Sequence, residues 1–555
     1  MPSQDSPILR LPIEITGIIT SSFTQSDLKN LRLTCLSLSK QVQPRLSRVF
    51  LSANPLNVSV FRAIADHDRF RHGVSEIVWD DARLDVARRA LDHDLLSNLP
   101  DEELVHDMLA TVPEWFYLAY RDNVRVARNR RGLDADTTES KARAAELQDM
   151  LPLCESWSIY QGLLRQQHEV IASGADIEAF RYGLERFPSL RSVRVTPAAH
   201  GWLFQPLYRT PMIRQFPRGF NYAIPRGWPV KGVEPVEPTP GARHWHQQEH
   251  KDRWRGVCAA MHELAQIKAH RVEELIIDAH GLGTGLDCRI FDSPDSPEYY
   301  DLITFLRQWP QLRRLDLDLH VEGQPVYKWP SFRSGYLRSA LSQAAEGLEH
   351  ISLGIDGGKS EWYWYDMDNP LMSSEERMRQ HVPLAQIFPH EKWTRLRHFG
   401  LSGLWVTTED LLMLLAALPQ TLKSVELSFL WFLGPRSIVN YRSLVYGMRA
   451  LEWCTRPAAQ QPRVCIGVQH DPLHEIEGRR LWVAKEVNDC IYHGGENPFT
   501  LLGGHMVAFG VGHLVDAFDS SYTRPWLTTE QYAEQGIYKP LPAPGGPPTW
   551  LEFAL

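Results

Sequence analysis

Cysteine is scarce in this sequence: seven in 555 residues, at 35, 154, 258, 288, 454, 465 and 490, with no CxxC pair. An odd, sparse set excludes a disulfide framework and points to reduced thiols in a cytoplasmic or nuclear protein. Long apolar runs are missing too. A membrane helix needs about 20 apolar residues, and the densest stretch, Leu411 to Leu418, is far shorter and is bounded by Glu409, Asp410 and Pro419. The opening MPSQDSPILRLPIEI lacks a cationic start followed by an apolar run, so no secretory signal is expected. Nor is there a surplus of cations. Lys and Arg total 59 against 67 Asp and Glu, a net charge of −8 that disfavours a nucleic-acid partner.

Catalytic signatures are equally thin. There is no G-x-S-x-G, Walker A or H-E-x-x-H. Gly281, Gly283 and Gly285 follow a strand-like VEELIIDAH, but Leu286 stands where a dinucleotide fingerprint needs its third glycine, so a loop is expected. Asp80-Asp81 and Asp366-x-Asp368 read as solvated turns or binding rims. His244-x-His246 with His250 has metal-like spacing and makes a metal-dependent enzyme the least favoured alternative. No cofactor and no metal are expected.

What is present is an ordinary globular composition, 43% apolar, 23% charged and 10% aromatic, which excludes a disordered chain. The length suits three to four domains or one large array. Residues 8–50 carry the most specific pattern. Leu11-Pro12 precedes Ile15, Ile18 and Ile19 on one helical face. After a polar gap, Ser26 or Asp27 can cap a second helix whose stripe is Leu28, Leu31, Cys35, Leu38 and Val42. Leu46, Val49 and Phe50 make a short third element, giving three short helices that need more apolar cover than they hold.

These landmarks, Leu-Pro with an acid and Ile, then Asp27-Leu28, then Arg32-Leu33-Thr34-Cys35, then Leu38, Val49 and Phe50, resemble an F-box. Residues 51–84 look like the continuation in large filamentous-fungal F-box proteins. The resemblance implies docking on a Skp-type adaptor and, through it, a cullin, with contacts from Leu11, Pro12, Ile15, Ile18, Leu28, Leu31, Cys35, Leu38, Val49 and Phe50.

Residues 53–175 read as a helical linker region. An L-x-x-L-x-L template then recurs at Leu190/Val193/Val195, Val272/Leu275/Ile277, Leu312/Leu315/Leu317, Leu348/Ile351/Leu353, Leu396/Phe399/Leu401 and Leu422/Val425/Leu427. Helical stretches such as Asp176–Arg186 and Thr408–Ala417 precede several of these short strands. The pattern resembles an irregular leucine-rich-repeat array over 176–435. It departs from that family because the Asn or Cys expected beyond each last leucine is replaced by Ala198, His280, His320, Asp356, Leu404 or Leu430. A plain α/β or α+β domain is the alternative.

Residues 201–253 are expected as a long aromatic-rich loop, and Trp362, Trp364 and Tyr365 as loop aromatics suited to a protein substrate. Residues 436–555 are expected to pack on or cap the array, ending in an extended tail. The fold class is therefore α/β: an F-box over 1–52, the linker region, then the repeat-like solenoid. The function that follows is a non-catalytic substrate receptor of an SCF-type ubiquitin ligase, without nucleic-acid or membrane partners. A non-ligase interaction scaffold is the alternative.

Overall fold

A computed structural model describes residues 7–42, 44–85, 112–131, 138–229, 247–268, 270–321, 328–355, 378–434, 440–468, 477–499 and 510–526, with isolated positions 245, 324, 507, 508 and 531. The chain is α/β, built on a thirteen-stranded, mostly parallel sheet. Its main strands are β1 (Arg48–Ser52), β2 (Glu76–Asp80), β3 (Ser192–Thr196), β4 (Glu274–Ile277), β5 (Arg314–His320) and β6 (His350–Ile355). They continue as β7 (His398–Ser402), β8 (Ser424–Ser428), β9 (Arg463–Val468), β10 (Arg479–Val483), β11 (His513–Asp516) and β12 (Asp519–Pro525). Order in the sheet follows order in the chain. Strands β1 to β9 are parallel, and β10 to β12 run antiparallel at the end.

Parallel neighbours need a crossover between them, and crossovers of one hand put their helices on one face. Before the sheet come α1 (Ile13–Ser21), α2 (Gln25–Thr34) and α3 (Leu36–Gln41). The crossovers hold α4 (Pro55–Asp66), α5 (Glu114–Arg131), α6 (Thr138–Gln148), α7 (Leu153–Ser173), α8 (Ala175–Arg186), α9 (Arg255–Gln266) and α10 (Pro297–Gln308). Then come α11 (Tyr336–Gln343), α12 (Leu384–Ile387), α13 (Thr408–Ala417), α14 (Tyr441–Met448) and α15 (Lys485–His493). Helix α4 packs on α8, α8 on α9, and each later helix on the next through α15. That is one layer of helices in the same order as the strands.

All six L-x-x-L-x-L segments form strands, and their register explains the spacing. The second template position stacks as Val193, Leu275, Leu315, Ile351, Phe399 and Val425, and the third as Val195, Ile277, Leu317, Leu353, Leu401 and Leu427. None is more than 2% exposed. Burying each such side chain contributes about 1.5–3 kcal/mol. The ladders run on through Ile77 and Trp79 to Val49 and Leu51 at one end, and through Val464 and Ile466 at the other. In place of an Asn or Cys ladder, backbone bonds continue past the strands, from Asp278 N to Val195 O and from Trp431 N to Leu404 O. Asp318 adds one by accepting the Ala279 N–H.

Two expected boundaries shift. Val49 and Phe50 belong to β1, not to a third N-terminal helix, because Val49 fits the ladder and the Phe50 ring packs at a tilt against Tyr208. Within the segment 53–175, read as a helical linker region, α4 and β2 are integral to the sheet and its core. Further on, β10 precedes α15, which stops at Gly494 in the left-handed conformation (φ 75°).

The C-terminal strands turn back across the fold. Phe518, in the turn between β11 and β12, packs with Ala198, Ala279 and Leu282 beyond β3 and β4. Arg130 at the end of α5 donates to Asp516 and to the Glu477 carbonyl, and lies over Trp202 and Phe518. Strand neighbours stand about 4.8 Å apart, so the sheet must curve for β11 to reach β4.

Candidate protein-docking site

The first three helices form a unit with its own small core. Leu28, Leu38 and Val42 are buried together, with Leu9, Phe23, Leu31 and Cys35 packed around them. Pro12 opens α1, and Thr16 and Thr20 turn inward and hydrogen-bond the Pro12 and Thr16 carbonyls. Thr24, rather than Ser26 or Asp27, caps α2. Its side chain accepts the Asp27 N–H and Asp27 accepts the Thr24 N–H, a capping box. The stripe expected as one helix breaks at Cys35, which is extended (φ −161°, ψ 162°), and the Cys35 thiol caps α3 at the Leu38 N–H. Arg32 donates to the Val42 carbonyl at 2.6 Å and ties α2 to the end of α3.

With threonines inside α1, its isoleucines face out. Ile15, Ile18 and Ile19 are 42, 67 and 39% exposed, and Leu33 and Leu36 at the α2–α3 junction 75 and 81%. These are five of the nine large hydrophobic side chains exposed among the described residues. Pro12 is exposed and Leu11, Leu31 and Cys35 half-buried. Leu28 and Leu38 are buried in the unit's own core, Val49 is buried in the core of the sheet, and Phe50 is half-buried on β1. Ile19, Leu33 and Leu36 were absent from the sequence-based set. Their apolar character was visible, but not which side of each helix the fold would cover.

The sheet face opposite the helices is a belt of charge. Glu76 pairs with Arg48 and Arg194, Asp278 with Arg194 and His280, and Asp316 with Arg314 and His350. His350 stacks on His398 with ring centroids 4.0 Å apart, and His398 Nδ1 meets Ser424 Oγ at 2.7 Å. Burial, with Asp278 nearby, pushes the Asp318 carboxyl up to about 8. Burial, with His350 beside it, takes His398 down to about 4.

Other sequence candidates resolve differently. Asp80 and Asp81 are buried, not solvated: Asp81 accepts from Trp228 Nε1 and the Gly256 N–H, and Asp80 lies 3.6 Å from His200. His250 is buried and bonded to Asp287 at 2.6 Å, while His244 and His246 lie outside the described residues. No cluster of three metal-ligating side chains occurs among the described residues. Trp362, Trp364 and Tyr365 also lie outside them, as does Asp366-x-Asp368. No described helix is long and apolar enough to cross a membrane. Comparison with protein-family models gave no match, and comparison with curated proteins gave none.

Proposed function

We propose that this protein is the substrate-receptor subunit of an SCF-type ubiquitin ligase, with α1–α3 as an F-box on a Skp-type adaptor. The observation that carries the reading is the outward apolar side of that unit, Ile15, Ile18 and Ile19 on α1 with Leu33 and Leu36. Exposed apolar patches mark binding sites, and the F-box landmarks Leu11-Pro12 and Arg32-Leu33-Thr34-Cys35 fall on these elements. The sheet and its helix layer serve as an irregular leucine-rich-repeat-like solenoid that holds a protein substrate, with Trp362, Trp364 and Tyr365 among the proposed contacts. Such a subunit acts by raising the effective concentration of a substrate lysine near the conjugating enzyme. It calls for no catalytic residue, cofactor or metal.

The test is co-expression with a Skp-type adaptor followed by size-exclusion chromatography. A one-to-one complex is expected, lost on removing residues 1–44, a cut that spares Leu46 and β1. A soluble chain that never binds the adaptor would overturn the reading. It would leave an interaction scaffold, which the placement of Val49 and Phe50 in the sheet favours as second choice.

A further inference from the structure

The rim of the sheet where the parallel strands begin carries a ladder of charge. One residue stands just before each strand from β3 to β8: Arg191, Glu273, Arg313, Glu349, Arg397 and Lys423, joined in turn by bonds from backbone N–H to carbonyl. The signs alternate as far as Arg397 and no further. Lys423 follows, then Arg463, which opens β9 and bonds the Lys423 carbonyl through its N–H. Strand neighbours stand about 4.8 Å apart, so three cations occupy consecutive rungs with no acid between them.

The acids of the ladder are shared among several arginines. Glu349 faces Arg313, Arg395 and Arg397 at 3.7, 3.6 and 3.5 Å, and Glu273 faces Arg313 at 3.7 Å. Lys423 and Arg463 are exposed, and among the described residues their side chains have no hydrogen bond or ion pair. The loops that lead into β5–β9 are residues 309–313, 344–349, 388–397, 418–423 and 449–463. They lie wholly within the described residues and hold eight cationic side chains against four acidic ones. One of those four, Glu391, is paired with Arg338. In a chain of net charge −8 this rim is a local reversal of sign.

We propose that this rim docks an acidic segment of a partner protein, whose carboxylates meet Arg395, Arg397, Lys423 and Arg463. From β5 to β9 the rim runs about 19 Å, the reach of roughly six extended residues. Like charges on adjacent rungs repel until a partner neutralises them, and exposed complementary charge governs the speed and selectivity of docking. Nucleic acid suits the rim less. Every Trp and Phe of these loops, Trp309, Phe388, Trp393 and Trp453, is buried, so bases have no ring there to stack on. The surface uses no residue of α1–α3 and does not depend on adaptor binding; within the ligase reading, the acidic segment belongs to the substrate.

The experiment is fluorescence anisotropy of labelled hexaglutamate titrated with the full-length protein, beside labelled hexaglutamine and hexathymidylate. Saturable binding of hexaglutamate is expected, none of hexaglutamine, and weaker binding of hexathymidylate. Raising salt from about 50 to 300 mM should weaken the hexaglutamate complex about tenfold or more. Lys423→Glu/Arg463→Glu should weaken it about tenfold or more at the lower salt, and Lys423→Gln/Arg463→Gln by less. Both positions are exposed, so the melting temperature should hold. A control pair, Lys141→Glu/Arg165→Glu, makes the same change of net charge at exposed positions of α6 and α7 and should bind as the parent does. Adaptor capture by the rim variants should be unchanged, which separates failure here from failure of the ligase reading. No saturable binding up to about 1 mM protein, or an equal loss in the control pair, would overturn the proposal. Tighter binding of hexathymidylate would overturn it too and assign the rim to a nucleic acid.

Discussion

Arg130 and Asp516 stand 386 positions apart in the chain and meet at 2.5 Å, with side chains only 4 and 1% exposed. Breaking one side of a buried pair costs about 3–5 kcal/mol, because the other charge is stranded. Asp516→Asn strands Arg130 and takes a carboxylate from Arg479. Chemical denaturation should show a loss of that size, and the double variant Arg130→Met/Asp516→Leu should lose less than the sum of its singles. A loss below about 1 kcal/mol for Asp516→Asn would mean that the clasp contributes nothing.

The charged belt predicts an alkaline limb in stability. Asp318 holds its proton up to about 8 in the folded chain, against an ordinary value of 3.8. Between those values the folded state binds more protons, so stability falls as pH rises, by up to about 1.4 kcal/mol per unit. Asp318→Asn keeps an acceptor for the Ala279 N–H and removes the titration. Its stability relative to the parent should improve between pH 6 and 9; parallel pH profiles would count against this account.

An acid limb follows from His200. Burial, reinforced by Arg226, takes it down to about 3, and its Nδ1 lies 2.8 Å from Tyr222 Oη. Here the unfolded chain binds the extra proton below an ordinary value of 6.5, so stability present above that pH is lost as pH falls toward 3. His398, at about 4, acts in the same direction. Urea midpoints of His200→Gln, measured from pH 7 to 4.5, should fall less steeply than those of the parent. An equal slope would remove His200 from the explanation.

The exposed and buried residues of the N-terminal unit should separate cleanly. Ile18→Ser and Leu36→Ser should change stability by no more than about 0.5 kcal/mol and still abolish adaptor capture. Leu28→Ala should loosen the unit itself, at about 2–5 kcal/mol. Retained capture by an Ile18→Ser/Leu36→Ser double variant would place the adaptor elsewhere.

In the body of the sheet, Leu317→Ala should cost about 2–5 kcal/mol, and Trp79→Ala about 3–5 kcal/mol, by the cavities they leave. Both side chains are at most 2% exposed on the same ladder. Thermal melts that respond to Leu317 but not to Trp79 would argue that β2 is peripheral.

Much of this sheet was legible because a side-chain period of two repeats at each strand. The same template also fits Leu46/Val49/Leu51 and Val74/Ile77/Trp79, which are β1 and β2. Those two rungs were missed because Val49 and Phe50 also complete an F-box-like order, and because Trp79 fills a slot where leucine was sought. Strand β12, DSSYTRP, has no buried side to betray it. The outward direction of Ile15 and Ile18 could not be read either: a helical period locates a stripe, but neighbours decide whether it is covered. The clasp of Arg130 on Asp516 joins segments 386 positions apart, which no local pattern reports.

The seat of Phe518 against Ala198, Ala279 and Leu282 has a consequence for synthesis. A ribosome adds about 5–20 residues per second, so Arg130 emerges roughly 20–80 s before Asp516. Through that interval the early strands can form while the seat stays open to water and to other nascent chains. A message cut short between codons 468 and 516 would therefore release a protein with most of its sheet and an uncovered apolar notch, a natural target for the chaperones and proteases that survey new polypeptides.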